Sequence, residues 1–532
     1  MNNFFKTRQC HYLKILKFGL ATVGFSAAVN AHAAPAAVYE NRNDHYRTGA
    51  NLNETILNTS NVVGNNFGLL FTMPVDSPIH TQPLYAPNVS IGGIKHNVIY
   101  IVTASANVYA FDADHSGPAL WMARLGLHTG FTGYNWGVNS TPIIDPNTGS
   151  LYVVARGSNN ILNVFKLHAL DIASGAEKFG GPVNVSGSYT FNGANFETLN
   201  QQLVQHTGLA LANGNVIFGF AGVDEGPGLN YNGWVLSYNA QTLQQNGVFL
   251  TTRKSPAIGG GVWQSGRAPA VDDEGNVYFH VGNAYQLNNF GLSTNGYDGV
   301  NNFSESILKT DHNLNLLDWF TPIQWQKLDE NDTDTASSGP LLVPEANLLV
   351  GGGKDGNLYV LNTNNMGRLS ANNGKMVQNL PTPNTKTAAI FTGPVFWQRS
   401  AAQGGSLLFN VYAPGPIYAF KFSGGSFYPA PVSVTPAGEN SRSGYEISYS
   451  LSANQDASGT GILWALISNP SVNKSVLRAY NAENLSQELW NSAQYSSDSL
   501  TAASTYIPPT IVNGKVYAPT NAHQLTVYGL KP

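Results

Sequence analysis

Cysteine is almost absent from this chain. The only one among 532 residues is Cys10, and it lies in an N-terminal segment that we expect to be removed. The remaining chain then has no disulfide, no thiolate metal site and no C-x-x-C-H haem attachment. We therefore expect a fold that is stabilised by packing alone and that carries no haem.

Charge is scarce as well. Only 11% of the residues are charged, and the formal net charge is −4. A nucleic-acid-binding surface needs a basic balance, so we expect no nucleic-acid partner. The apolar run Phe18–Val29 is too short to span a bilayer, so we also expect no membrane span.

The N-terminus has the pattern of a secretory signal. Basic residues precede the apolar run, and Ala31–Ala33 provides a small-x-small cleavage site. The basic residues are Lys6, Arg8, Lys14 and Lys17. We predict that residues 1–33 form a signal peptide cleaved near Ala33, and that the protein is secreted or periplasmic.

What the chain does contain is a repeat. Glycine (55 residues) and aromatic residues (11%) are abundant, which is typical of a turn-rich β protein. A unit of four strands, the first of them containing proline, recurs with a spacing of roughly 60 residues. The eight copies span Thr81–Leu125, Ser140–Val183, His206–Thr252, Gly266–Pro322, Ser338–Pro381, Thr392–Val434, Ile447–Ala493 and Ile507–Leu530.

The eighth copy lacks its fourth strand. Asn66–Val75 (NFGLLFTMPV) has the length and aromatic content of the missing strand. Pairing there would close a ring and remove the exposed edge of an open array. We therefore predict an all-β fold over residues 66–532: an eight-bladed β-propeller of four-stranded antiparallel blades, the last closed by an N-terminal strand. Residues 34–65 are predicted to form a leader.

Several copies share an A-x-D/N sequence at the third strand and an aromatic residue in the fourth. The side chain in the turn can accept backbone hydrogen bonds, and the aromatic ring can bury between neighbouring units. We interpret these residues as structural. They are Ala110, Asp112 and Trp121; Ala169, Asp171, Gly175 and Phe179; and Ala479, Asn481 and Trp490.

The unit ALDIASGAEKF, at Ala169–Phe179, resembles the repeat of the pyrroloquinoline quinone (PQQ) dehydrogenase-like propellers. The resemblance covers essentially the whole chain after the signal. The match is closer to secreted bacterial PQQ-like repeat proteins, which largely lack an assigned activity. The segments GVWQSGRAPAVDDEGNVYFHVGN, SGPLLVP and GGKDGNLYVLNTNNMG carry this closer resemblance. It implies eight blades around a central axis.

The resemblance also implies a set of site residues. Trp263 corresponds to the tryptophan on which the quinone ring stacks. Glu225 and Asn283 correspond to the ligands of a calcium ion. Asp334 corresponds to the catalytic base, with Asp332 as the rival.

Lys354 corresponds to the basic residue that contacts a quinone oxygen. Two features depart from the pattern of the alcohol dehydrogenases. The vicinal cysteine pair is absent from Phe131–Pro142, and Thr-Asp replaces Trp-Asp before the base.

Two functions follow from these residues. One is an exported PQQ- and calcium-dependent dehydrogenase that oxidises an alcohol or sugar hydroxyl and passes electrons to a separate acceptor. The alternative is a propeller that lost the cofactor and binds protein, peptide or glycan ligands. In the alternative, Trp263, Asn283 and the two aspartates are ordinary packing and loop residues. Exposed aromatic residues near the mouth would then serve binding, namely Tyr134, Trp136, Tyr231 and Tyr285.

Overall fold

In a computed structural model of the chain, the described strands form eight sheets of four to six strands and two two-stranded ribbons. The structure describes residues 36–126, 137–156, 164–198, 201–223, 230–254, 257–286, 296–383, 388–436, 447–469 and 474–532. Residues 36–532 belong to one compact unit. The predicted eight-bladed propeller is confirmed, and the blades are numbered here in chain order.

Blades 1 to 4 each contain a meander of antiparallel strands. Blade 1 consists of Leu84–Ile91, Ile94–Val102, Asn107–Asp112 and Trp121–Arg124. Blade 2 consists of Ile143–Asp145, Ser150–Arg156, Phe165–Asp171 and Val183–Val185. Blade 3 consists of Leu203–Gln205, Ala210–Ala212, Asn215–Gly222, Trp234–Asn239 and Gln245–Leu250. Blade 4 consists of Ala270–Val271, Val277–His280, Ile307–Thr310 and Leu316–Thr321, with Arg368–Leu369 at its edge.

Blades 5 to 8 repeat the arrangement. Blade 5 consists of Leu341–Val343, Leu348–Gly352, Asn357–Asn362 and Gln378–Pro381. Blade 6 consists of Val395–Trp397, Leu407–Val411, Ile417–Ser423, Ser426–Phe427 and Ser433–Val434. Blade 7 consists of Ile447–Ser452, Ile462–Asn469, Lys474–Asn481, Glu488–Asn491 and Leu500–Thr501. Blade 8 consists of Thr510–Val512, Lys515–Pro519, Gln524–Leu530 and Phe67–Pro74.

A few short elements lie outside the blades. One helix, α1 (Trp325–Asn331), was not predicted and lies between blades 4 and 5. Ser188–Phe191 pairs with Ala194–Glu197, and Ala257–Gly259 pairs with Ala284–Gln286. Short 3-10 turns occupy Gly64–Asn66, Gln264–Gly266, Thr335–Ser337, Ala371–Asn373, Ala401–Gln403 and Ser496–Asp498. No helix among the described residues is both long and apolar enough to cross a bilayer.

The ring closes as predicted. Phe67–Pro74 pairs antiparallel with Gln524–Leu530, from Phe67 opposite Leu530 to Pro74 opposite Gln524. The Phe67 ring packs edge-on against Trp490 of blade 7, with ring centroids 4.9 Å apart. The N-terminal strand therefore completes blade 8 and also packs into the core between blades 7 and 8.

The shared A-x-D motif has the structural role that was predicted for it. Asp171 accepts hydrogen bonds from the backbone N–H groups of Ala173 and Ser174, which fixes the turn after the third strand of blade 2. Trp121 of blade 1 donates its indole N–H to the carbonyl of Ile172, 3.1 Å away. The indole thus joins blade 1 to the turn of blade 2, next to Gly175.

Residues 38–51, within the predicted leader, run around the inside of the ring. In each blade the first strand is more buried than the fourth, so the first strands line the axis. The segment hydrogen-bonds to the first strands of blades 1, 2, 4, 5, 6, 7 and 8. The pairs, with the segment residue first, are Val38–Tyr85, Tyr39–Ile144, His45–Val271, Tyr46–Leu342, Thr48–Phe396, Gly49–Leu451 and Asn51–Ile511. We call residues 38–51 the axial segment.

Gly175→Ala tests the packing of blade 1 on blade 2. Gly175 has φ +71°, and a Cβ there would lie 2.6 Å from a carbon of the Trp121 ring. Gly180→Ala is a matched control, because Gly180 has φ +73° and open space around it. We expect Gly180→Ala to cost about 1 kcal/mol of unfolding free energy from backbone strain, and Gly175→Ala to cost roughly 1–3 kcal/mol more from the clash. Urea unfolding measures both, and equal losses would show that the indole does not constrain this position.

Candidate functional site

The predicted site residues lie at one end of the ring, in the turns after second strands and in a connection between two blades. The chain leaves the second strand of a blade at the same end at which it passes from one blade to the next, because successive strands alternate in direction. Asn283 follows the second strand of blade 4, and Lys354 follows the second strand of blade 5. Asp332 and Asp334 lie in the connection from blade 4 to blade 5, directly after α1.

Lys354 joins the two predicted base candidates. Its Nζ lies 2.7 Å from Asp332 Oδ1 and 2.8 Å from Asp334 Oδ2. The two carboxylates differ in exposure: the side chain of Asp332 is 59% exposed and that of Asp334 is 2% exposed. Desolvation strengthens an ion pair, so the contact with Asp334 is the stronger constraint on the lysine.

The environment of Asp334 raises the pKa of its carboxyl above the ordinary value. Burial is the largest cause, the Lys354 ammonium opposes it, and the Asp332 carboxylate adds to it. Oδ2 of Asp334 is held by the lysine, whereas Oδ1 is buried without a hydrogen-bond partner among the described residues. A buried carboxylate oxygen without a partner is costly in a folded protein, so this atom is a marker of function.

The backbone around Asp334 is held from three sides. The Asp334 carbonyl accepts the N–H of Lys354 at 3.0 Å. Thr335 N–H donates to Glu305 Oε2 at 2.8 Å, and the Thr335 carbonyl accepts Nδ1–H of His280 at 2.9 Å. Burial lowers the pKa of His280 to about 4, so the ring is neutral and donates from Nδ1. Gly353 is required beside this segment, since a Cβ there would lie 2.1 Å from the Asp334 carbonyl oxygen.

Asn283 joins the same group. It is fully buried, and its Nδ2 lies 3.4 Å from Asp332 Oδ1. Its carbonyl accepts the N–H of Gly260 at 2.7 Å, next to the two-stranded ribbon of Ala257–Gly259 and Ala284–Gln286. The structure therefore brings together Asn283, Asp332 and Lys354 with Asp334, as the predicted site requires; their chemical roles stay predictions.

Trp263 lies beside this group. It is half-buried, and its ring makes edge contacts with His206 and Tyr231 at centroid distances of 5.5 Å and 6.5 Å. A Cβ on Gly282 would lie 3.4 Å from both Trp263 Cδ1 and Ala336 Cβ. The indole is therefore next to the residue that precedes Asn283, and its buried Nε1 has no hydrogen-bond partner among the described residues.

The remaining sequence expectations have mixed outcomes. Tyr231 was expected to be an exposed aromatic residue and is only 1% exposed, because it packs beneath Trp263 in the core of blades 2 and 3. Glu225, Tyr134 and Trp136 lie outside the described residues, as does the side chain of Tyr285. The predicted role of Glu225 as a calcium ligand is therefore untested.

Two further acids in the same region were not predicted. Glu305 and Asp329 are both buried, and their carboxyl groups are close enough to affect each other's pKa. Asp329 also accepts the N–H of Ala284 at 3.1 Å and the hydroxyl of Ser304 at 3.1 Å. Glu305 has φ +56°, an unusual value for a residue with a side chain, and such strain is concentrated at functional sites.

Burial raises the pKa of Asp329 to about 8 and raises the pKa of Glu305 well above its ordinary value. For Glu305, the nearby Asp329 and Asp334 carboxylates add to the effect of burial. Two carboxyl groups that lie close together away from water do not both ionise, so the pair keeps one proton. The site thus contains three buried carboxyl groups and one ammonium group, and it holds at least one proton at neutral pH.

Comparisons with known proteins identify the fold. The sequence matches no family model and no curated protein. The structure is similar to a quinohemoprotein alcohol dehydrogenase from Pseudomonas putida HK5, at 14% identity and a TM-score of 0.58 over 93% of this chain and 80% of that one. It is also similar to a europium-containing methanol dehydrogenase, at 12% identity and a TM-score of 0.57 over 94% of this chain and 99% of that one.

The chain therefore has a fold similar to that of these two dehydrogenases. This confirms the architecture that the repeat predicted. At these identities the likeness concerns the fold alone, so the chemistry of the site must be argued from the residues of this chain.

Glu305→Gln tests the shared proton. Because the folded pKa of Asp329 is raised to about 8, the folded state holds a proton that the unfolded chain releases above roughly pH 4. The wild type should therefore lose stability as the pH rises from about 4 to about 8. In Glu305→Gln the loss between pH 5 and pH 8 should shrink by about 1–3 kcal/mol.

Urea unfolding at pH 5 and pH 8 measures this loss. Glu274→Gln is the control, because Glu274 is exposed and its replacement should leave the pH dependence unchanged. The same pH dependence in wild type and Glu305→Gln would contradict a proton shared by the buried pair.

Proposed function

We propose that this chain is an exported quinone-dependent dehydrogenase that oxidises an alcohol or sugar hydroxyl at the end of the propeller axis. The observation that carries the proposal is Asp334. One oxygen of its buried carboxyl is paired with Lys354, and the other has no partner among the described residues. A general base needs this arrangement, since it must be oriented, partly desolvated and able to accept one proton.

The described residues fit the quinone. PQQ is planar and carboxylated, so its site needs a flat apolar face, a cation and a nearby base. Trp263 offers a half-buried indole with an unused N–H, Lys354 offers the cation, and Asp334 offers the base. When bound, PQQ supplies the two-electron acceptor for the hydride of the oxidised carbon.

The described residues do not by themselves fit a calcium ion. Calcium takes six to eight oxygen ligands. Among the described residues no group of three His, Cys, Asp or Glu side chains is arranged to hold a metal. The ammonium of Lys354 already lies between Asp332 and Asp334. A calcium site would need Glu225, which stays a prediction, so we assign calcium no role in the chemistry.

The protein groups then have distinct roles. Asp334 accepts the proton of the substrate hydroxyl on Oδ1. Lys354 keeps the Asp334 carboxylate ionised and can donate a hydrogen bond to a negatively charged oxygen. Asp332 is exposed, so it is better placed to hold Lys354 than to act as the base. A separate electron acceptor is required, because the chain has no C-x-x-C-H haem attachment.

The alternative is a propeller that binds protein, peptide or glycan ligands without a cofactor. One observation favours it: Lys354 already pairs with both Asp332 and Asp334 within the protein itself. A buried carboxylate that is paired with an ammonium group of the same chain does not require a cofactor to be stable. The two functions make opposite predictions for the binding of PQQ.

Thermal unfolding with PQQ, alone and together with Ca²⁺, separates the two functions. A ligand that binds only the folded state at 100 times its Kd stabilises that state by about 2.7 kcal/mol, so the dehydrogenase should show a higher Tm. Lys354→Met and Asp334→Asn should weaken or abolish the shift. Lys327→Met on the exposed side of α1 is the matched control and should keep it. A Tm that does not change at a large excess of PQQ would contradict the dehydrogenase and favour the propeller that binds protein, peptide or glycan ligands.

The pH dependence of the reaction tests Asp334 as the base. Burial raises the pKa of Asp334 and Lys354 opposes the rise, so removal of the lysine charge raises the pKa further. A base works when deprotonated, so the acid limb of kcat/KM should lie at higher pH in Lys354→Met than in the wild type. Lys354→Arg should restore most of the original limb. An unchanged acid limb in Lys354→Met would show that Asp334 is not the group that titrates.

A further inference from the structure

Three arginine side chains are buried beside the axis of the ring, away from the site described above. Arg42 and Arg47 belong to the axial segment, and Arg267 lies three positions before the first strand of blade 4. All three residues are at most 1% exposed. Arginine is rarely buried to this degree unless its charge is compensated.

Most of their hydrogen bonds go to neutral carbonyl groups. Arg42 donates to the carbonyls of Thr392 and Tyr449, at 2.8 Å and 3.0 Å. Arg47 Nε donates to the carbonyl of Pro269 at 2.9 Å. The carbonyls of Pro340 and Pro394 accept hydrogen bonds from Arg267. The acceptors belong to blades 4 to 7, so the arginines tie together half of the ring.

Negative charge is in short supply at this cluster. Arg47 has a carboxylate partner, Glu40, at 2.6 Å. Neither Arg42 nor Arg267 has a carboxylate within 4.0 Å among the ion pairs of the described residues. The other acid near the cluster is Asp44, which is hydrogen-bonded to Thr48.

The arginines are also close enough to repel each other. Burial, together with the charges of Arg42 and Arg47, lowers the pKa of Arg267 well below its ordinary value. The buried hydroxyl of Tyr449 donates to the carbonyl of Gly393 at 2.7 Å and carries no charge at neutral pH, because burial raises its pKa to about 12. Three guanidinium groups therefore face two carboxylates, Glu40 and Asp44, which leaves one positive charge uncompensated.

Unused hydrogen-bond donors accompany the uncompensated charge. Nε of Arg42, Nη2 of Arg47 and Nε of Arg267 are buried and have no hydrogen-bond partner among the described residues. Thr392 and Pro394 accept from Arg42 and Arg267, so the two guanidinium groups meet at one short stretch of backbone. Between these residues is Gly393, where a Cβ would lie 3.1 Å from Cζ of Arg267.

We propose that Arg42, Arg47 and Arg267 bind one small monovalent anion beside the propeller axis. The ligand is of the chloride or carboxylate class, because a single negative charge balances the cluster and a compact acceptor can take several N–H donors. Water molecules would accept the same hydrogen bonds but would leave the charge uncompensated. The anion holds the axial segment against blades 4 to 7, and this role is independent of any chemistry at Asp334.

Bromide replaces chloride as a probe that diffraction can identify. Crystals of the mature protein grown in bromide should show one anomalous peak within hydrogen-bonding distance of Arg42 Nε and Arg267 Nε. Crystals grown in acetate instead should show a flat, carboxylate-shaped density if that class is preferred. Only water-like density at the cluster under both conditions would overturn the proposal.

Thermal unfolding gives a second test in solution. At constant ionic strength, with gluconate as the bulky replacement, chloride should raise the Tm by roughly 2–4 °C and the rise should saturate. Arg267→Gln should lose this dependence, whereas the control Arg368→Gln, whose side chain is 61% exposed on the edge of blade 4, should keep it. If Arg267→Gln does not fold, the bromide peak in the wild type still decides. A Tm that is the same in chloride and gluconate, together with water-like density at the cluster in both bromide and acetate crystals, would rule out the site.

Discussion

The pairing of Phe67–Pro74 with Gln524–Leu530 closes the ring, and the candidate site depends on that closure. A closed ring has a single axis, and the first strands of all blades line it. Connections from neighbouring blades then converge at one end of the axis, whatever their separation along the chain. Asn283 and Lys354 are 71 positions apart in the sequence, yet both contact Asp332. Neither contact is encoded locally; each follows from the position of its blade in the ring.

The few charges of the chain are not all at its surface. Glu305, Asp329 and Asp334 are buried with one ammonium group at one end of the ring, and three arginines are buried beside the axis. Burial of an uncompensated charge costs several kcal/mol, so each group must bind a proton, a counter-ion or a ligand. Glu305 and Asp329 reduce this cost by keeping one proton between them. Asp334 is the third buried acid, and the ammonium group of Lys354 favours its ionised form. These two groups of buried charges, of opposite sign, are the basis of the two binding functions proposed above.

The fold was predictable because its signals are local and repeated. Strand positions follow from alternating apolar residues between glycine and asparagine turns, and the copy predicted at Ser338–Pro381 contains the four strands of blade 5. The predicted site was partly predictable for the same reason, since Asn283, Asp334 and Lys354 each lie at a strand end or between blades. Their chemical roles could not be predicted, because a Gly-Asn or Asp-Gly pair occurs both in ordinary turns and in binding sites.

The burial of polar residues could not be predicted, because it depends on which residues of other blades pack against them. Glu305 precedes an apolar strand and Asp329 lies in a seven-residue helix, and neither pattern marks a buried carboxyl.

The axial segment is polar in sequence and was therefore predicted to be a leader. Its polarity is what allows it to enter the axis. Each first strand in blades 4 to 6 follows a proline whose carbonyl lies at the axis, and the guanidinium donors of Arg47 and Arg267 pair with these carbonyls. An apolar segment would have left the carbonyls of Pro269, Thr392 and Tyr449 without the hydrogen bonds that Arg42 and Arg47 donate, so the polar side chains of the segment stabilise its position at the axis.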